Sequence, residues 1–148
     1  MRDYHDWIQP DWPAPSNVHA VSTTRAGGVS QGVYASLNLA THVGDDPQLV
    51  ARNRKIFRQT LGLPAEPLWL EQVHGNEVLV GIDGCADASV VRKGKVAVVM
   101  TADCLPVLFT DIHGTQVAAA HAGWRGLDKE RDLTFGDTGQ NILPDQTL

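Results

Sequence analysis

The amino-acid sequence predicts an α+β (mixed α/β) domain in which a mixed β-sheet packs against helices. One amphipathic helix pattern, over residues 46–61, is followed by a series of short strand patterns. Helices and strands do not alternate along the chain, which argues against a regular βαβ repeat. The chain has 148 residues, of which 43% are hydrophobic. That length and composition are sufficient for one domain with a core.

The helix prediction rests on apolar spacing and on the residues at the two ends. Apolar side chains recur at spacings of four and seven and so share one face, namely Leu49, Val50, Ile56, Phe57 and Leu61. At the start, Asp45 or Asp46 can accept hydrogen bonds from the first free N–H groups, and Pro47 suits the first helical position. Gly62 and Pro64 are typical of a helix end.

Short apolar segments predict the strands. The candidates are residues 18–23, 68–70, 77–82, 96–101, 107–110 and 116–121. Residues 96–100 are continuously apolar, which predicts a strand buried on both faces. Residues 112–115 are typical of a turn between two strands.

Composition excludes several classes of protein. The net charge is −5 and the sequence pI is about 5.6, which argues against a nucleic-acid partner. No apolar run approaches the ~20 residues that span a bilayer, and the first residues lack the apolar region of a signal peptide. Two cysteines, Cys85 and Cys104, are too few for a disulfide scaffold. We therefore expect a cytoplasmic protein that does not bind membranes.

The composition changes near residue 128. Residues 128–148 contain two basic and five acidic side chains, a net charge of −3, and few apolar residues. Such a segment is typical of a poorly packed end. The sequence thus predicts a folded part over residues 1–127 and a divergent polar tail over residues 128–148.

Three segments place a metal-binding side chain at or beside a predicted strand end. The side chains are His74, Cys104 and His121, at intervals of 30 and 17 positions. These intervals are too long for a zinc finger, but they suit three loops that meet at one sheet edge. Two imidazoles and a thiolate leave a fourth position open for water or substrate, as in catalytic zinc sites. Two alternatives remain: Cys104 and one histidine form a nucleophile–base pair, or all three residues are structural.

Other polar residues give weaker indications of function. Asp103, beside Cys104, is a candidate partner of a metal ligand or a candidate proton carrier, and Asp87 is open to the same interpretations. Arg25 precedes two glycines and is a candidate anion ligand. Trp124 and Arg125 can stack on and hydrogen-bond a planar ligand. Ordinary turns, caps and packing explain each of these residues equally well.

Several motifs together resemble the YfiH family. They are Ser-Thr-Thr-Arg-Ala-Gly-Gly-Val-Ser at 22–30, Ser-Leu-Asn-Leu at 36–39, Trp-Leu-Glu-Gln-Val-His-Gly at 69–75, Ala-Asp-Ala at 86–88, Thr-Ala-Asp-Cys-Leu-Pro at 101–106 and His-Ala-Gly-Trp-Arg-Gly at 121–126. This is the bacterial laccase-domain or polyphenol-oxidase-like family, related to the human protein FAMIN. The order and spacing of the motifs hold from about residue 8 to residue 127.

The resemblance implies a YfiH-like fold and a zinc site formed by His74, Cys104 and His121. It implies phosphorolysis of purine nucleosides, including methylthioadenosine, and deamination of adenosine, with nucleosides and phosphate as small-molecule partners. We assign catalytic roles to these three residues and Asp103, and substrate binding to Arg25 and Arg125. We expect a monomer or a weak homodimer.

Two further interpretations concern the metal and the length of the chain. Older descriptions of the family as copper polyphenol oxidases keep copper as an alternative, but multicopper oxidation needs several metal centres and the chain has few suitably grouped histidines. Family members continue well beyond the His-Ala-Gly-Trp-Arg-Gly motif. We therefore expect a chain truncated at its C-terminus, and an inactive remnant that at most binds metal is an alternative function. A metal-free cysteine hydrolase using Cys104 and His121, as in a related toxin deamidase, is a third.

Overall fold

The structure, a computed structural model, describes residues 7–124. These residues divide into two compact units, the first formed by residues 7–12 and 19–64 and the second by residues 13–18 and 65–124. The predicted boundary after residue 127, the predicted tail and Arg125 lie outside the described residues.

The first unit contains helix α1, Pro47–Leu61, and a short 3-10 helix, Gly32–Tyr34. The Asp46 side chain accepts a hydrogen bond from the backbone N–H of Gln48 at 2.8 Å. Gly62 ends the helix in the left-handed conformation, with φ of 58°. The predicted helix over residues 46–61 is therefore confirmed. No helix in the described part of the chain is long and apolar enough to cross a membrane.

Asn53 lies on the buried face of α1 and is fully buried. Its side-chain oxygen accepts from the N–H of Val29 at 2.8 Å, and its amide nitrogen donates to Ser30 Oγ at 2.8 Å and Asn38 O at 2.9 Å. One buried amide therefore joins the helix to the segment from Val29 to Asn38. Each of these hydrogen bonds also satisfies a polar group that is removed from water.

The strand predicted over residues 18–23 is wrong. This segment makes a single isolated bridge, in which Ser22 and Ile8 exchange two backbone hydrogen bonds at 2.8 and 2.9 Å. The β-branched residues of the segment favour an extended chain, but within the described residues it has no neighbouring strand to extend the bridge into a ladder.

The second unit contains two sheets. Strands β1, Leu70–Glu71, and β3, Gly84–Cys85, form a parallel pair. Four further strands form a sheet in the order β2, β4, β6, β5, with bounds Val78–Val80 for β2, Ala88–Arg92 for β4, Leu105–Thr110 for β5 and Gln116–Ala122 for β6. The β2–β4 pair is parallel and the β4–β6 and β6–β5 pairs are antiparallel. The predicted mixed sheet in an α+β fold is therefore confirmed.

Among the described residues, β4 is the most buried strand, whereas the sequence predicted that residues 96–100 form the buried strand. Residues 88–91 of β4 are buried, and Val90 packs with Ala118, Val78 and Phe109. Residues 96–100 are only half-buried, and the one bridge that they form among the described residues joins Ala97 to Leu68, so the strand predicted there is wrong. Asp87 directly precedes β4 and Ser89 lies within it, and these two polar residues interrupt the apolar pattern by which the sequence would have predicted a buried strand.

Candidate metal centre

His74, Cys104 and His121 come together in the second unit. One ligand atom from each residue lies within 4.8 Å of the others. The pairing of β5 with β6 explains part of this, because Leu105 at the start of β5 pairs with Ala122 at the end of β6. Cys104 and His121 are the neighbours of that pair, and His74 reaches them from the turn after β1.

His74 lies in a turn that encloses the Asp87 carboxylate. The backbone N–H groups of Val73, His74 and Gly75 donate to this carboxylate at 3.2, 2.9 and 2.7 Å. His74 has a φ of 58°, in the left-handed region that non-glycine residues rarely adopt. Three successive N–H groups aimed at one carboxylate form an anion-binding concavity that the protein fills with its own side chain.

Asp87 also contacts His121. Its Oδ1 lies 2.8 Å from His121 Nδ1, both side chains are buried, and the His121 backbone N–H donates to the Asp87 carbonyl at 2.7 Å. Burial raises the pKa of Asp87, but hydrogen bonds from His121 and from the turn outweigh burial, so the pKa is lowered. An ionised carboxylate only accepts hydrogen bonds, so Nδ1 carries the proton and Nε2 of His121 is left to coordinate a metal.

Cys104 is half-buried beside an acidic residue. Its Sγ lies 3.7 Å from Asp103 Oδ1. Desolvation raises the pKa of the Cys104 thiol, and the negative charges of Asp103 and Asp87 raise it further. A raised pKa lowers the fraction of thiolate, which is the nucleophilic form of the side chain. A bound cation is the group that would hold this sulfur as a thiolate.

The bare backbone of Gly123 lies against all three side chains. A Cβ atom at this position would lie 3.1 Å from His74 Cδ2, 3.7 Å from Cys104 Sγ and 3.8 Å from His121 Cε1. Tetrahedral zinc holds nitrogen and sulfur donors roughly 3.5 Å apart, so donors that lie within 4.8 Å of one another need to close by about 1.3 Å or less. The donor set and the space kept by glycine therefore fit a single metal ion of the zinc class.

Gln72 holds the segment that leads to Cys104. Its side-chain amide donates to the carbonyl oxygen of Met100 and accepts from the N–H of Met100, both at 2.7 Å. The amide thus takes the place of a neighbouring strand for this stretch of backbone. Residue spacing indicated no role for Gln72 or Gly123 and marked Asp87 only as a candidate partner of a metal ligand or proton carrier, although all three lie within the motifs quoted above.

The remaining predicted site residues have other surroundings. In the first unit, the Arg25 guanidinium donates to the carbonyls of Ala35 at 2.7 Å and Val33 at 3.3 Å, so it braces its own loop. A cleft of about 500 Å³ in the same unit is lined by the cations Arg52 and Lys55. Asp103 is exposed beside Cys104. Arg125 lies outside the described residues.

Comparison with known proteins identifies the family. Residues 19–130 match the family described as multi-copper polyphenol oxidoreductase laccase. The chain belongs to this family. The Escherichia coli member, purine nucleoside phosphorylase YfiH, is 52% identical over 147 residues, which span 92% of this chain and 60% of that protein. The resemblance to the YfiH family is therefore confirmed.

Other members of the laccase family support the same conclusion. A purine nucleoside phosphorylase of Pseudomonas aeruginosa is 54% identical over 82% of this chain and 51% of its own length. A Neisseria meningitidis protein of known crystal structure superposes with a TM-score of 0.75 at 58% identity, over 82% of this chain and 52% of that one. YlmD from Geobacillus stearothermophilus gives a TM-score of 0.76 at 30% identity, over 85% of this chain and 53% of that one. This chain thus spans about half to three fifths of the length of these relatives.

Proposed function

We propose that this chain carries the metal centre of a zinc-dependent purine nucleoside phosphorylase. The observation that carries the proposal is the convergence of His74, Cys104 and His121, with donors within 4.8 Å of one another. Three protein donors leave one position of a tetrahedral ion for water or substrate, which is the pattern of catalytic zinc. The names of the Escherichia coli and Pseudomonas aeruginosa relatives support purine nucleosides and phosphate as substrates.

The choice of zinc over copper rests on the donor set and on the reaction. One group of two imidazoles and one thiolate suits a single closed-shell ion that acts without redox chemistry. When bound, zinc supplies Lewis acidity and lowers the pKa of a water ligand towards ~7. Copper-dependent oxidation of phenols is the outcome that would replace this assignment.

The residues around the metal have distinct roles in this proposal. Cys104 and the two histidines hold the ion, and Asp103, exposed next to Cys104, moves a proton to or from the purine. Deamination of adenosine needs such a proton for the departing ammonia. Phosphorolysis of adenosine, inosine or methylthioadenosine needs an anion site for phosphate, for which Arg25 and Arg125 are the candidates. The two hydrogen bonds of Arg25 to its own loop favour a bracing role beside any contact with phosphate.

The test is nucleoside turnover by the purified 148-residue chain loaded with zinc. Inosine, adenosine and methylthioadenosine are each incubated with and without phosphate, and the products are separated by chromatography. We expect free base and ribose 1-phosphate (its methylthio analogue from methylthioadenosine) only with phosphate, and inosine from adenosine in both conditions. Phenol oxidation with added copper is measured in parallel.

Two cysteine variants provide the matched control. Cys104→Ala removes a candidate ligand, whereas Cys85→Ala removes the other cysteine, which is exposed in β3. We expect Cys104→Ala to lose turnover by at least about a hundredfold and Cys85→Ala to keep it. A folded, zinc-loaded chain without nucleoside turnover, or equal turnover in the two variants, would overturn the proposal.

A further inference from the structure

The carboxylate of Asp87 contacts both histidines of the candidate metal centre, and Asp87 is only 2% exposed. We infer that Asp87 is a positioning residue that builds the two-imidazole half of the centre before a metal binds. The inference rests on the metal centre proposed above. In this role Asp87 contacts neither metal nor substrate, and it acts through His74 and His121.

The turn that carries His74 depends on this carboxylate. Asp87 Oδ2 accepts from the N–H groups of Val73 and Gly75, and Oδ1 accepts from the N–H of His74. Without the carboxylate these three donors would point at a buried position with no acceptor, which is costly. The left-handed backbone of His74 persists only where its surroundings impose it, and these hydrogen bonds are such a constraint.

The ring of His121 depends on the same carboxylate. Oδ1 accepts from Nδ1 of the ring at 2.8 Å while it also accepts from the His74 N–H at 2.9 Å. A single oxygen therefore fixes the backbone of one ligand residue and the ring of the other. It also fixes the tautomer of His121, with the proton on Nδ1 and a lone pair on Nε2 for the metal.

Cys104 is positioned in a different way. The segment that leads to it is held by the Gln72 amide on Met100, with two hydrogen bonds at 2.7 Å. The hydrogen bond described for Cys104 is to Asp103 and does not involve Asp87. A change at Asp87 should therefore weaken metal binding through the imidazoles and leave the thiolate able to bind.

The variant Asp87→Asn tests the inference because the amide has one oxygen where the carboxylate has two. If its nitrogen takes the place of Oδ1, it meets the N–H of His74 and drives the His121 proton to Nε2. If its nitrogen takes the place of Oδ2, the N–H groups of Val73 and Gly75 lose their acceptor and the turn loosens. Both orientations should weaken binding of the metal. Loss of a residue that hydrogen-bonds to a metal ligand typically weakens metal binding by about 10- to 100-fold.

The measurement is a titration of the metal-free full chain with Co²⁺, followed by the absorption of the thiolate–cobalt bond. We expect Asp87→Asn to bind Co²⁺ about 10- to 100-fold more weakly and to reach the intensity of the unchanged chain at saturation. Asp111→Asn is the matched control, because Asp111 also accepts from two backbone N–H groups, at 2.6 and 3.1 Å, but at the opposite end of the β5–β6 hairpin. We expect Asp111→Asn to bind Co²⁺ within about twofold of the unchanged chain.

The outcomes separate this inference from the proposed function. Equal affinity in Asp87→Asn and the unchanged chain would overturn the role of Asp87 and leave the metal centre standing. Failure of the unchanged chain to give a thiolate–cobalt band would overturn the metal centre itself.

A second measurement needs no variant, and it decides the matter if Asp87→Asn does not fold. The ¹⁵N and ¹H resonances of the His121 ring in the metal-free chain report which nitrogen carries the proton. A proton on Nδ1 supports the inference, and an Nδ1 without a proton overturns it.

Discussion

Gly123 has no side chain, and that absence keeps space beside His74, Cys104 and His121. A methyl group here would lie 3.1 Å from His74 Cδ2, closer than most carbon contacts, so the His74 ring would have to move. Gly123 is buried, so an added methyl group would lie against protein atoms and not in solvent. The residue thus keeps room for the three side chains of the candidate centre and offers no side-chain ligand of its own.

We expect Gly123→Ala to bind Co²⁺ about tenfold more weakly than the unchanged chain, because the His74 ring has to move away from the position it needs as a ligand, at a cost of about 1.4 kcal/mol of binding free energy. The melting temperature should change little, because the displaced ring is exposed and can move. Titration with Co²⁺ and thermal unfolding of the metal-free chain check the two parts. Unchanged affinity would show that the space beside the donors is not needed.

At the scale of single residues, the sequence was sufficient to propose the three candidate donors but not to show which residues hold them in place. His74, Cys104 and His121 each lie in a short motif with a recognisable residue type. The supporting contacts join residues far apart in the chain, such as Asp87 and His121, which are 34 positions apart, and Gln72 and Met100, which are 28 apart. Spacing cannot reveal such pairs, because they are set by the order of strands in the sheet.

At the scale of elements, α1 was predictable and the buried strand was not. Helix α1 combines an apolar face with residues at each end that satisfy free backbone groups, so local sequence defines it. Burial of β4 depends on its neighbours β2 and β6, and the polar residue Ser89 lies fully buried within it. Residues 96–100 have the more apolar sequence, but only one bridge pairs them among the described residues.

The β5–β6 hairpin is closed by Asp111. Its carboxylate accepts from the N–H groups of Thr115 and Gln116 at 2.6 and 3.1 Å, and from the Thr115 hydroxyl. Desolvation raises the pKa of Asp111, but the hydrogen bonds from Thr115 and Gln116, with the charge of His113, outweigh it and lower the pKa. The ionised carboxylate therefore stabilises the folded hairpin.

This shift predicts how the stability of the hairpin depends on pH. Because the folded-state pKa is lowered, the stabilisation is present above the unfolded-state pKa of about 4 and is lost as the pH falls through the folded-state pKa. We expect Asp111→Asn to lower the free energy of unfolding by about 1 kcal/mol at pH 7, since the side chain remains partly solvated. The difference from the unchanged chain should shrink as the pH falls from about 5 through the lowered folded-state pKa of Asp111. Urea unfolding at a series of pH values measures it, and a difference that does not change with pH would contradict the assignment.

At the scale of the whole molecule, the family and the mixed fold were predictable because many short motifs occur in a fixed order. The division of the described residues into two compact units was not, since no change in composition marks residues 64 and 65. Every residue assigned to the candidate metal centre by contact lies in the second unit. Because the chain spans about half to three fifths of its relatives, metal binding and nucleoside turnover are best tested separately.

The central claim is that His74, Cys104 and His121 together bind one metal ion. The most direct measurement is the zinc content per chain, by elemental analysis, after the purified protein is loaded with zinc and dialysed. We predict one zinc per chain for the unchanged protein and for Cys85→Ala, and none for Cys104→Ala, because two imidazoles alone bind zinc far more weakly. An unchanged chain without zinc, or a folded Cys104→Ala chain that still holds one zinc, would contradict the claim.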